Sequence, residues 1–599
     1  MDVHAWNRKD AMPNESVERF GHILSSLGID REVVQEESYK DYWYSNRIEV
    51  KGLPTIGTNG KGITPEYTMA SAMGEFFERL QCGMLMDYLY PLKKNKNRKL
   101  PETEHVEEGF VKFFPKIWES VNDDNAEEML LTNAENGGVC KCEDIFTGEK
   151  YVLPENLLTV LCGANGTAAG NTFSEAFVQG VSELFERYVT QFIYKEKYDD
   201  VFKAIGEQAY ANLNSYKLIQ AIELRKYHVR VIDCSLGGKL PVIGVLIFDP
   251  SMTKYYFKLG ADANVDIALQ RCITEVFQGL SFDLNFRLRM NECYVSDTAV
   301  KGFWFSDDRA YDHIRAEIDG TGRLPRGFFR SIANTTDIIS GFCDSVITND
   351  EAVKFMLERC KTIADTVGLI NYTKYGVPCI RIVMPDVCAS LYYPTDKEIG
   401  LYNTLKSIRK FRTTVEAGKY LTKDTLNCIL NILQYPAYTY AFSMTKLLGV
   451  ITTHISDAPY IYSPYLFAAY LALYLKEYDI AEKYIDIYNV DARVNEVIRQ
   501  VDKVIIKAFK EEVRDEQIME YFCGFGSNEK IIEEVNNLIR IHKNGFKIPS
   551  CPNCETCNLR GKCCYDTWEK LQTSMIQSDH NYMNEDFRKF IALCREAVM

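Results

Sequence analysis

Hydrophobic residues recur at helical spacing in three stretches of the chain, and each stretch leaves only a narrow polar stripe. In the stretch that begins near Thr172, the polar stripe contains Glu175, Gln179, Glu183 and Glu186. With successive residues placed about 100° apart on a helix, these four side chains fall within an arc of about 80°. Apolar side chains fill most of the remaining circumference, so the pattern predicts a buried helix with an acidic edge.

The same pattern predicts two further helices, over residues 69–80 and 266–280. Their polar stripes contain Ser71, Glu75 and Glu78 in the first helix, and Arg271, Glu275 and Gln278 in the second. A Glu followed four residues later by an Arg, as in Glu75 and Arg79, is also the spacing of a weak surface ion pair. Ionised carboxylates removed from water are costly unless they are paired or bind metal, so three acidic stripes on buried helices indicate bound cations.

Glycine-rich segments lead into the first two predicted helices. Residues 57–66 read GTNGKGITPE, with Thr64 in the position of an N-cap, and residues 163–175 read GANGTAAGNTFSE, with Thr172 and Glu175 spaced as a capping box. Gly lets a backbone approach a ligand closely, and helix N-termini favour anions. Because Mg²⁺ bridges carboxylates to phosphates, the combination predicts a metal-bridged nucleotide site, although the sequence contains no G-x-x-x-x-G-K-S/T phosphate loop.

The remaining pattern predicts an α+β fold. Short β-branched segments bounded by Gly or Pro predict strands at residues 229–235, 240–250 and 377–385. Amphipathic helices lie between them, so residues 1–392 are predicted to form one domain with mixed sheets and helices. Residues 393–545 are predicted to be helical, and residues 468–488 have the small and aromatic spacing of a tetratricopeptide-like hairpin. Residues 546–599 form a Cys-rich C-terminal segment.

Composition and charge exclude some classes of partner. The chain has 599 residues, of which 46% are hydrophobic and 25% charged, and its formal net charge is -14. A negative surface disfavours direct binding to nucleic acid or to anionic membranes. The longest apolar run, at residues 464–475, is too short to span a bilayer, and the N-terminus has no apolar signal segment. With 19 Cys and no export signal, we expect a cytoplasmic protein whose thiols are reduced.

A cluster of cysteines stands apart in residues 551–564, which read CPNCETCNLRGKCC. It contains Cys551, Cys554, Cys557, Cys563 and Cys564. Thiolates this close in sequence are typical ligands of Zn²⁺ or of an iron–sulfur cluster, and the C-x₂-C-x₂-C run favours iron–sulfur. Chance clustering and redox-active thiols are the alternatives.

The motifs of the three predicted helices resemble those of the YcaO family. The segments NGKG with SAMGEFFERL, NGTAAGNTFSEAFVQGVSELFERYV, and LQRCITEVFQG are similar to its three nucleotide-binding blocks, in the same order. The resemblance covers roughly residues 1–390, and the beginning RKDAMPNESVERF and the helical tail are similar to full-length stand-alone bacterial members. It implies a YcaO-type ATP-binding domain followed by a helical region, and a homodimer.

The resemblance also implies roles for individual residues. Members of the family bind ATP through Mg²⁺ and phosphorylate a peptide-bond oxygen, to which a nucleophile then adds. The implied Mg²⁺ ligands are Glu75, Glu78, Glu183, Glu186 and Glu275. The implied nucleotide contacts are Lys9, Ser16, Ser71, Asn171, Glu175, Arg187 and Gln278. Arg187 and Glu186 are implied to act in catalysis, with Arg187 stabilising charge on the transferring phosphoryl group.

Family members differ in the reaction that follows activation. Azoline-forming members commonly end in a Pro-rich C-terminus, whereas this chain ends RKFIALCREAVM, which disfavours that reaction. Stand-alone bacterial members are associated with methylthiolation of a small-subunit ribosomal protein beside a radical methylthiotransferase, and others make thioamides with a partner protein. The resemblance therefore implies an ATP-dependent enzyme that forms ADP or AMP and acts on a peptide or protein. A non-catalytic nucleotide-binding adaptor is the alternative.

Overall fold

The structure is a computed structural model, and it describes residues 8–39, 42–85, 103–115, 139–195, 201–278, 290–292, 312–313, 315–317, 320, 322–343, 345, 347–388, 399–434, 444–448, 459–491, 496–524, 528–549, 555, 557, 564–578 and 584–598. The chain divides into two compact units. The first consists of Met1–Met86, Asn97–Pro394 and Asp566–Met599, and the second of Asp87–Lys96 and Thr395–Tyr565. The domain boundaries predicted from the sequence at residues 392 and 545 stay predictions.

Three sheets form the scaffold of the first unit. An antiparallel sheet has the order β1 (Arg31–Tyr39), β2 (Trp43–Val50), β3 (Leu53–Gly62). A second antiparallel sheet has the order β5 (Lys150–Pro154), β4 (Val139–Asp144), β13 (Gly368–Asn371), β14 (Cys379–Val383), β6 (Thr167–Ala169). The third has the order β11 (Asn291–Glu292), β10 (Lys254–Ala261), β9 (Val242–Phe248), β8 (His228–Asp233), β7 (Lys203–Ile205), β12 (Thr335–Thr336), and its β7–β12 pair is parallel.

The three strands predicted from the sequence are all present. Strands β8 and β9 correspond to the predictions at residues 229–235 and 240–250, and β14 corresponds to the prediction at residues 377–385. Every residue of β9 is buried, as its unbroken run of apolar side chains leads one to expect for a central strand. Mixed sheets and helices in this unit confirm the α+β class.

Helices accompany these sheets along the chain of the first unit. They are α1 (Pro13–Ser26), α2 (Pro65–Gln81), α3 (Thr103–Phe113), α4 (Glu155–Cys162), α5 (Phe173–Lys195), α6 (Glu207–Tyr210), α7 (Tyr216–Glu223), α8 (Val265–Val276), α9 (Arg326–Ser331) and α10 (Asn349–Cys360). The three helices predicted to carry acidic stripes are α2, α5 and α8.

Helices α2 and α5 begin where the sequence predicts. The Thr64 hydroxyl accepts a hydrogen bond from the Tyr67 N–H, and a Pro occupies the first helical position of α2. Before α5, the Thr172 hydroxyl accepts from the Glu175 N–H at 3.1 Å, which is one half of the predicted capping box. Helix α2 packs against β3 and β6, and α5 packs against β6, β10 and β14, so the two helices share the neighbouring strand β6.

Helix α8 is shorter than the helix predicted over residues 266–280. It ends at Val276, and the N–H groups of Phe277 and Gln278 bond to carbonyls only three residues back. The Phe277 ring stacks on Trp43, with a centroid distance of 4.3 Å and an interplanar angle of 8°. This long-range contact holds the residue after the helix in place, so Gln278 lies in a turn rather than on the helix.

The second unit is helical. Its elements are α11 (Ile399–Glu416), α12 (Lys423–Leu433), α13 (Met444–Leu448), a 3₁₀ turn (Pro459–Ile461), α14 (Pro464–Tyr474), α15 (Tyr478–Asp491), α16 (Glu496–Lys510), α17 (Asp515–Gly524) and α18 (Glu529–Asn544). Helix α14 lies at its centre, since every residue from Pro464 to Leu473 is buried. Helices α14 and α15 pack side by side as predicted, but a tetratricopeptide-like character is not confirmed. In the described ranges, we find no helix that has both the length and the apolar character to cross a bilayer.

The C-terminal end of the chain belongs to the first unit from Asp566 onward. It contains α19 (Tyr565–Ser578) and α20 (Asn584–Val598). Helix α20 packs against α10 and α5, where the ring of Phe590 lies 5.7 Å from that of Phe177 and 6.0 Å from that of Phe173. Nearby, Arg595 Nη2 donates to Glu143 Oε1 at 2.7 Å. The last helix therefore supports α5 at the end where α5 begins.

Candidate functional site

The first unit contains a cavity of about 790 Å³ between its sheets and helices. Elements from distant parts of the sequence line it, including the segment before α1 and the helices α2, α5 and α8. All twelve residues predicted to bind nucleotide or Mg²⁺ are among the lining residues. They are Lys9, Ser16, Ser71, Glu75, Glu78, Asn171, Glu175, Glu183, Glu186, Arg187, Glu275 and Gln278. Their predicted roles are not tested by this arrangement, but it places them around one space.

Four of the predicted nucleotide contacts form a single hydrogen-bonded cluster. Lys9 Nζ lies 3.2 Å from Glu175 Oε1, and the Asp10 N–H donates to Glu175 Oε2 at 3.1 Å. Asn171 Nδ2 also donates to Glu175 Oε2, at 3.2 Å, and Asn171 Oδ1 accepts from the Ser16 hydroxyl at 3.0 Å. Burial opposes ionisation of Glu175, but the charge of Lys9 and these donors lower the pKa of Glu175. Glu175 is therefore a buried carboxylate that holds the N-terminal segment on α5.

The two acids of α2 share one basic partner. Arg79 Nη1 lies 3.1 Å from Glu78 Oε1, and Arg79 Nη2 lies 3.6 Å from Glu75 Oε1. The Thr167 hydroxyl of β6 lies 2.7 Å from the same Glu78 oxygen and can donate to it. Thus the ion pair between Glu75 and Arg79 that the sequence spacing predicts is present, but it lines the cavity and does not lie on an outer surface.

The acids of α5 are likewise each close to an Arg. Arg187 Nη2 donates to Glu183 Oε1 at 3.3 Å, while Arg187 Nη1 donates to the Glu317 carbonyl at 3.0 Å. Arg271 Nη2 of α8 lies 3.9 Å from Glu186 Oε1, which also accepts from the Ala261 N–H at 2.9 Å. Among the described residues, the buried Nε atom of Arg187 has no hydrogen-bond partner, so this guanidinium keeps donor capacity for a ligand.

Lys61 completes the set of basic partners. Its ammonium forms an ion pair with Glu275 and donates to Gln278 Oε1 at 3.2 Å. The side-chain amide of Gln278 in turn donates through Nε2 to the Asn59 carbonyl at 3.2 Å. The glycine-rich segment before α2 is therefore tied directly to the end of α8, although the two are more than two hundred residues apart in sequence.

Burial and the closeness of several charged groups shift the pKa values of side chains in the cavity. Burial raises the pKa of Glu78 to about 8; the charge of Arg79 opposes this, and the charges of Glu183 and Glu75 reinforce it. Burial also raises the pKa of Glu186, despite Arg271 and Arg187. Burial, together with the charge of Arg271, lowers the pKa of Lys61 to about 8. Buried acids with raised pKa values are groups that a nearby cation would stabilise in ionised form.

The donor set fits Mg²⁺, which prefers carboxylate oxygens. Five Glu side chains from three helices face one cavity, and all five are partly buried, with 13% to 34% of the side chain exposed. In the part of the chain that the structure describes, no three His, Cys, Asp or Glu side chains are already gathered in a metal-binding group. Here the carboxylates face basic side chains instead, and Mg²⁺ would have to exchange with those partners.

The predicted cysteine site is mostly outside the described residues. Cys551, Cys554 and Cys563 are not described, whereas Cys557 and Cys564 are each partly exposed. The described residues give no support to a Zn²⁺ or iron–sulfur site at this segment. It stays a prediction.

Several lining residues were not among the predicted contacts. Arg8 lies beside Lys9, and its Nη2 donates to Asp262 Oδ2 at 2.7 Å, while its buried Nη1 has no hydrogen-bond partner. Lys61 and Arg271 are the basic partners of Glu275 and Glu186. The signal for Arg271 was present, since it shares the polar stripe of α8, but nothing in the sequence pairs Arg8 or Lys61 with residues so far away.

The sequence of this chain is similar to sequences of known proteins. A sequence model of the family described as YcaO cyclodehydratase, ATP- and Mg²⁺-binding, matches residues 59–388. The Escherichia coli protein named ribosomal protein S12 methylthiotransferase accessory factor YcaO is 28% identical over 467 residues, which cover 74% of this chain and 76% of that protein. An uncharacterized protein of Haemophilus influenzae is 27% identical over 425 residues, covering 66% of this chain and 68% of its own length.

Solved structures include a more distant likeness. The structure of YcaO from Methanopyrus kandleri bound with AMPPCP and Mg²⁺ is 16% identical to this chain, with a TM-score of 0.42. The alignment covers 63% of this chain and 91% of that one.

Proposed function

The chain belongs to the YcaO family, and from that premise we propose that it uses ATP and Mg²⁺ to phosphorylate a backbone amide oxygen, or a related carboxyl-type oxygen, in a peptide or protein. The observation that carries the proposal is one cavity lined both by five Glu side chains from three helices and by the hydrogen-bonded cluster around Glu175. Such a cavity contains candidate ligands for Mg²⁺ and candidate contacts for a nucleotide.

In this proposal, one set of residues binds Mg²⁺ and another set binds the nucleotide. Glu75, Glu78, Glu183, Glu186 and Glu275 would hold Mg²⁺, which supplies charge neutralisation for the phosphates of ATP. Lys9, Ser16, Ser71, Asn171, Glu175, Arg187 and Gln278 bind the nucleotide. Because Asn171 and Glu175 lie at the start of α5, phosphates near them also meet the positive end of a long helix.

Phosphorylation suits a substrate whose oxygen is a poor leaving group. Transfer of the terminal phosphoryl group to an amide oxygen converts that oxygen into phosphate, which leaves readily after a nucleophile adds to the carbon. The protein then needs mainly to position the reactants and to neutralise charge. We assign that role to Arg187, whose buried Nε has no hydrogen-bond partner among the described residues, together with Glu186, which lines the same cavity.

The acceptor proposed first is a small-subunit ribosomal protein. This choice rests on the name of the Escherichia coli relative, ribosomal protein S12 methylthiotransferase accessory factor YcaO. Partners would then be that protein substrate and a radical methylthiotransferase, and the active form would be a homodimer in the cytoplasm. Thioamide or azoline formation on a peptide are alternative outcomes of the same activation step.

Nucleotide binding tests the site before any acceptor is known. We expect the full-length protein to bind a non-hydrolysable ATP analogue in calorimetry only when Mg²⁺ is present, and Glu75→Gln and Glu183→Gln to lose this binding. Glu66→Gln is the matched control, because Glu66 is an exposed residue of α2 outside the cavity. Binding that is unchanged in both cavity variants would overturn the site assignment.

Phosphate release separates the enzyme from the second candidate, a nucleotide-binding adaptor. That candidate is favoured by the word accessory in the name of the relative. We expect ribosomal protein S12 to stimulate ADP or AMP formation from ATP. Tight Mg²⁺-dependent binding without release of phosphate, with S12 and the methylthiotransferase both present, would instead support the adaptor.

A further inference from the structure

Two buried thiols outside the cavity lie in contact with each other. The Sγ atoms of Cys162 and Cys388 are 3.4 Å apart, although 226 positions separate them in the sequence. Cys162 is the last residue of α4, and Cys388 follows β14. Both are buried, with 0% and 1% exposure. The proposed function uses neither of them.

A buried cation lies beside this pair. The Arg381 side chain is 1% exposed, and its Nη2 donates to the carbonyls of Leu158, at 3.2 Å, and Gly163, at 2.8 Å. These bonds fix the guanidinium at the end of α4, where it also interacts with the sulfur of Cys162. An electropositive neighbour of this kind favours the thiolate form of a cysteine.

The two thiols are not equivalent. Burial opposes ionisation of Cys162, but the hydrogen bond with Cys388 and the charge of Arg381 lower the pKa of Cys162. For Cys388, the same hydrogen bond and burial raise the pKa. Other buried thiols, such as those of Cys272 and Cys360, have a raised pKa because of burial. Because the Arg381 guanidinium is fixed on the carbonyl of Gly163, the residue after Cys162, we assign the attacking role to Cys162 and the resolving role to Cys388.

We propose that Cys162 and Cys388 are a redox modification site, at which a hydroperoxide produces an intramolecular disulfide and a small thiol reverses it. Sulfur atoms in a disulfide are about 2.05 Å apart, so a local approach of roughly 1.4 Å is enough to join atoms already in contact. The proposal is independent of the proposed function, because neither residue lines the cavity.

The chemistry balances with hydrogen peroxide as the oxidant. The Cys162 thiolate attacks one peroxide oxygen, the O–O bond breaks, and a sulfenic acid forms as the other oxygen leaves as water after taking up a proton. The Cys388 sulfur then attacks the sulfenic sulfur, the S–O bond breaks, and a second water leaves with the Cys388 proton. Two thiols and one peroxide thus give one disulfide and two water molecules.

The position of the pair connects it to the cavity through a short segment. The Asn165 side chain donates to the Cys388 carbonyl at 3.4 Å, and Thr167, five residues after Cys162, contacts Glu78 through its hydroxyl. Residues 162–167 therefore join the thiol pair to strand β6. This gives the modification a route to the acidic side of the cavity.

Peptide mapping of the full-length protein tests the proposal. The reduced, folded protein is treated with hydrogen peroxide. The remaining thiols are then alkylated in denaturant without a reductant, and the digest is analysed by mass spectrometry. We expect a linked peptide that contains Cys162 and Cys388 and has lost two hydrogen atoms, and dithiothreitol should return both residues to alkylatable thiols. The link should form before Cys272 or Cys360 is oxidised.

Matched variants identify the pair. Cys162→Ser and Cys388→Ser should each abolish the linked peptide, and in Cys388→Ser the peroxide should leave an unresolved sulfenic acid at Cys162. Cys360→Ser, which changes a thiol that is equally buried, should leave the link intact. The proposal is overturned if both thiols of the wild-type protein are still reduced after peroxide treatment of the folded protein has oxidised other cysteines, or if Cys162 links to a different residue.

Discussion

The ammonium of Lys9 and the carboxylate of Glu175 meet across 166 positions of sequence, with Nζ 3.2 Å from Oε1. This contact brings a segment that precedes the first helix onto the start of α5. Glu175 is buried, whereas Lys9 remains partly exposed, with 36% of its side chain accessible. The pair therefore closes one side of the cavity with a carboxylate that is fixed and a cation that can still move toward a ligand.

Removing either partner should weaken nucleotide binding. We expect Lys9→Met and Glu175→Gln each to lower the affinity for an ATP analogue by about tenfold, because charge-assisted contacts hold this side of the cavity together. Titration calorimetry in the presence of Mg²⁺ measures the change. Lys51→Met, at an exposed position outside the cavity, should bind as the wild type does. An unaltered affinity for both cavity variants contradicts the assignment of this cluster to the nucleotide.

Mg²⁺ affinity should depend on pH through Glu78. Its pKa is raised to about 8 by burial, and although Arg79 opposes the shift, neighbouring acids reinforce it, so without Mg²⁺ the group is largely protonated at neutral pH. Since a metal ligand must be deprotonated, Mg²⁺ affinity should rise as the pH increases through about 8, and binding near pH 7 should release a proton. Calorimetry in buffers of different ionisation enthalpy detects that proton. Glu78→Gln should remove the release, and persistence of the release in this variant would assign the proton to another group.

Arg187 should matter more for turnover than for binding. With its Nε unpartnered and its other nitrogens on Glu183 and the Glu317 carbonyl, this guanidinium can add a contact as charge develops on a phosphoryl group. We expect Arg187→Lys to reduce phosphate release by about 10²–10³-fold and to change analogue affinity much less. Arg230→Gln, an exposed change on β8, is the control. Equal losses in binding and turnover would make Arg187 a ground-state ligand only.

A buried carboxyl should limit the stability of the second unit at alkaline pH. Asp502 of α16 is 2% exposed and accepts from Asn489 Nδ2 at 2.6 Å, and burial, reinforced by the charge of Glu534, raises its pKa to about 8. The folded chain keeps this proton where the unfolded chain has released it, so stability falls as pH rises from the ordinary Asp range to about 8. At pH 8, Asp502→Asn should therefore be more stable by roughly 2–4 kcal/mol.

Thermal unfolding of the full-length protein at several pH values measures this effect. The advantage of the Asn variant should vanish below about pH 3, where Asp is protonated in both states. Asp424→Asn, at a position where 71% of the side chain is exposed, is the matched control and should show little dependence on pH. A gain for Asp502→Asn that is the same at every pH would point to a better hydrogen bond instead of a removed charge.

The last helix should stabilise the first unit through aromatic contacts. Phe590 is 5% exposed and packs on Phe173 and Phe177, at the start of α5. We expect Phe590→Ala to lower the free energy of unfolding by about 3–5 kcal/mol, because it removes a buried ring and leaves a cavity. Phe587, which is only partly buried against Phe173, should cost less when changed to Ala. Equal and small losses in both variants would show that α20 does not contribute to this core.

The sequence predicted which residues line the cavity better than it predicted which of them form ion pairs with one another. Periodicity placed Glu75, Glu183 and Glu186 on narrow stripes of apolar helices, and burial of the opposite faces leaves those stripes little room except around one space. Lys9 and Ser16 came from the family resemblance alone, because both have the appearance of surface residues beside a helix start. The partnership of Lys61 with Glu275 depends on how β3 meets α8, which no local pattern encodes.

Long-range packing also explains what the sequence could not supply about the fold. Strands β8, β9 and β14 were predictable from their apolar runs, but their order within the sheets is set by contacts between distant segments. The Phe277 ring, directly after the last residue of α8, stacks on Trp43, and helical periodicity does not encode this long-range contact. The C-terminal helix packs on the first unit through the contact of Phe590 with α5, and the amphipathic pattern of a helix does not show which element it packs against.

Each of the five acids in the cavity has a basic partner that a metal ion could replace. Arg79, Arg187, Arg271 and Lys61 form ion pairs with these carboxylates. In the proposed function, incoming Mg²⁺ displaces these side chains, and the displaced positive groups are then available to an anion that enters with the metal. Loading of metal and of a polyphosphate would therefore be thermodynamically coupled, each one improving the affinity for the other.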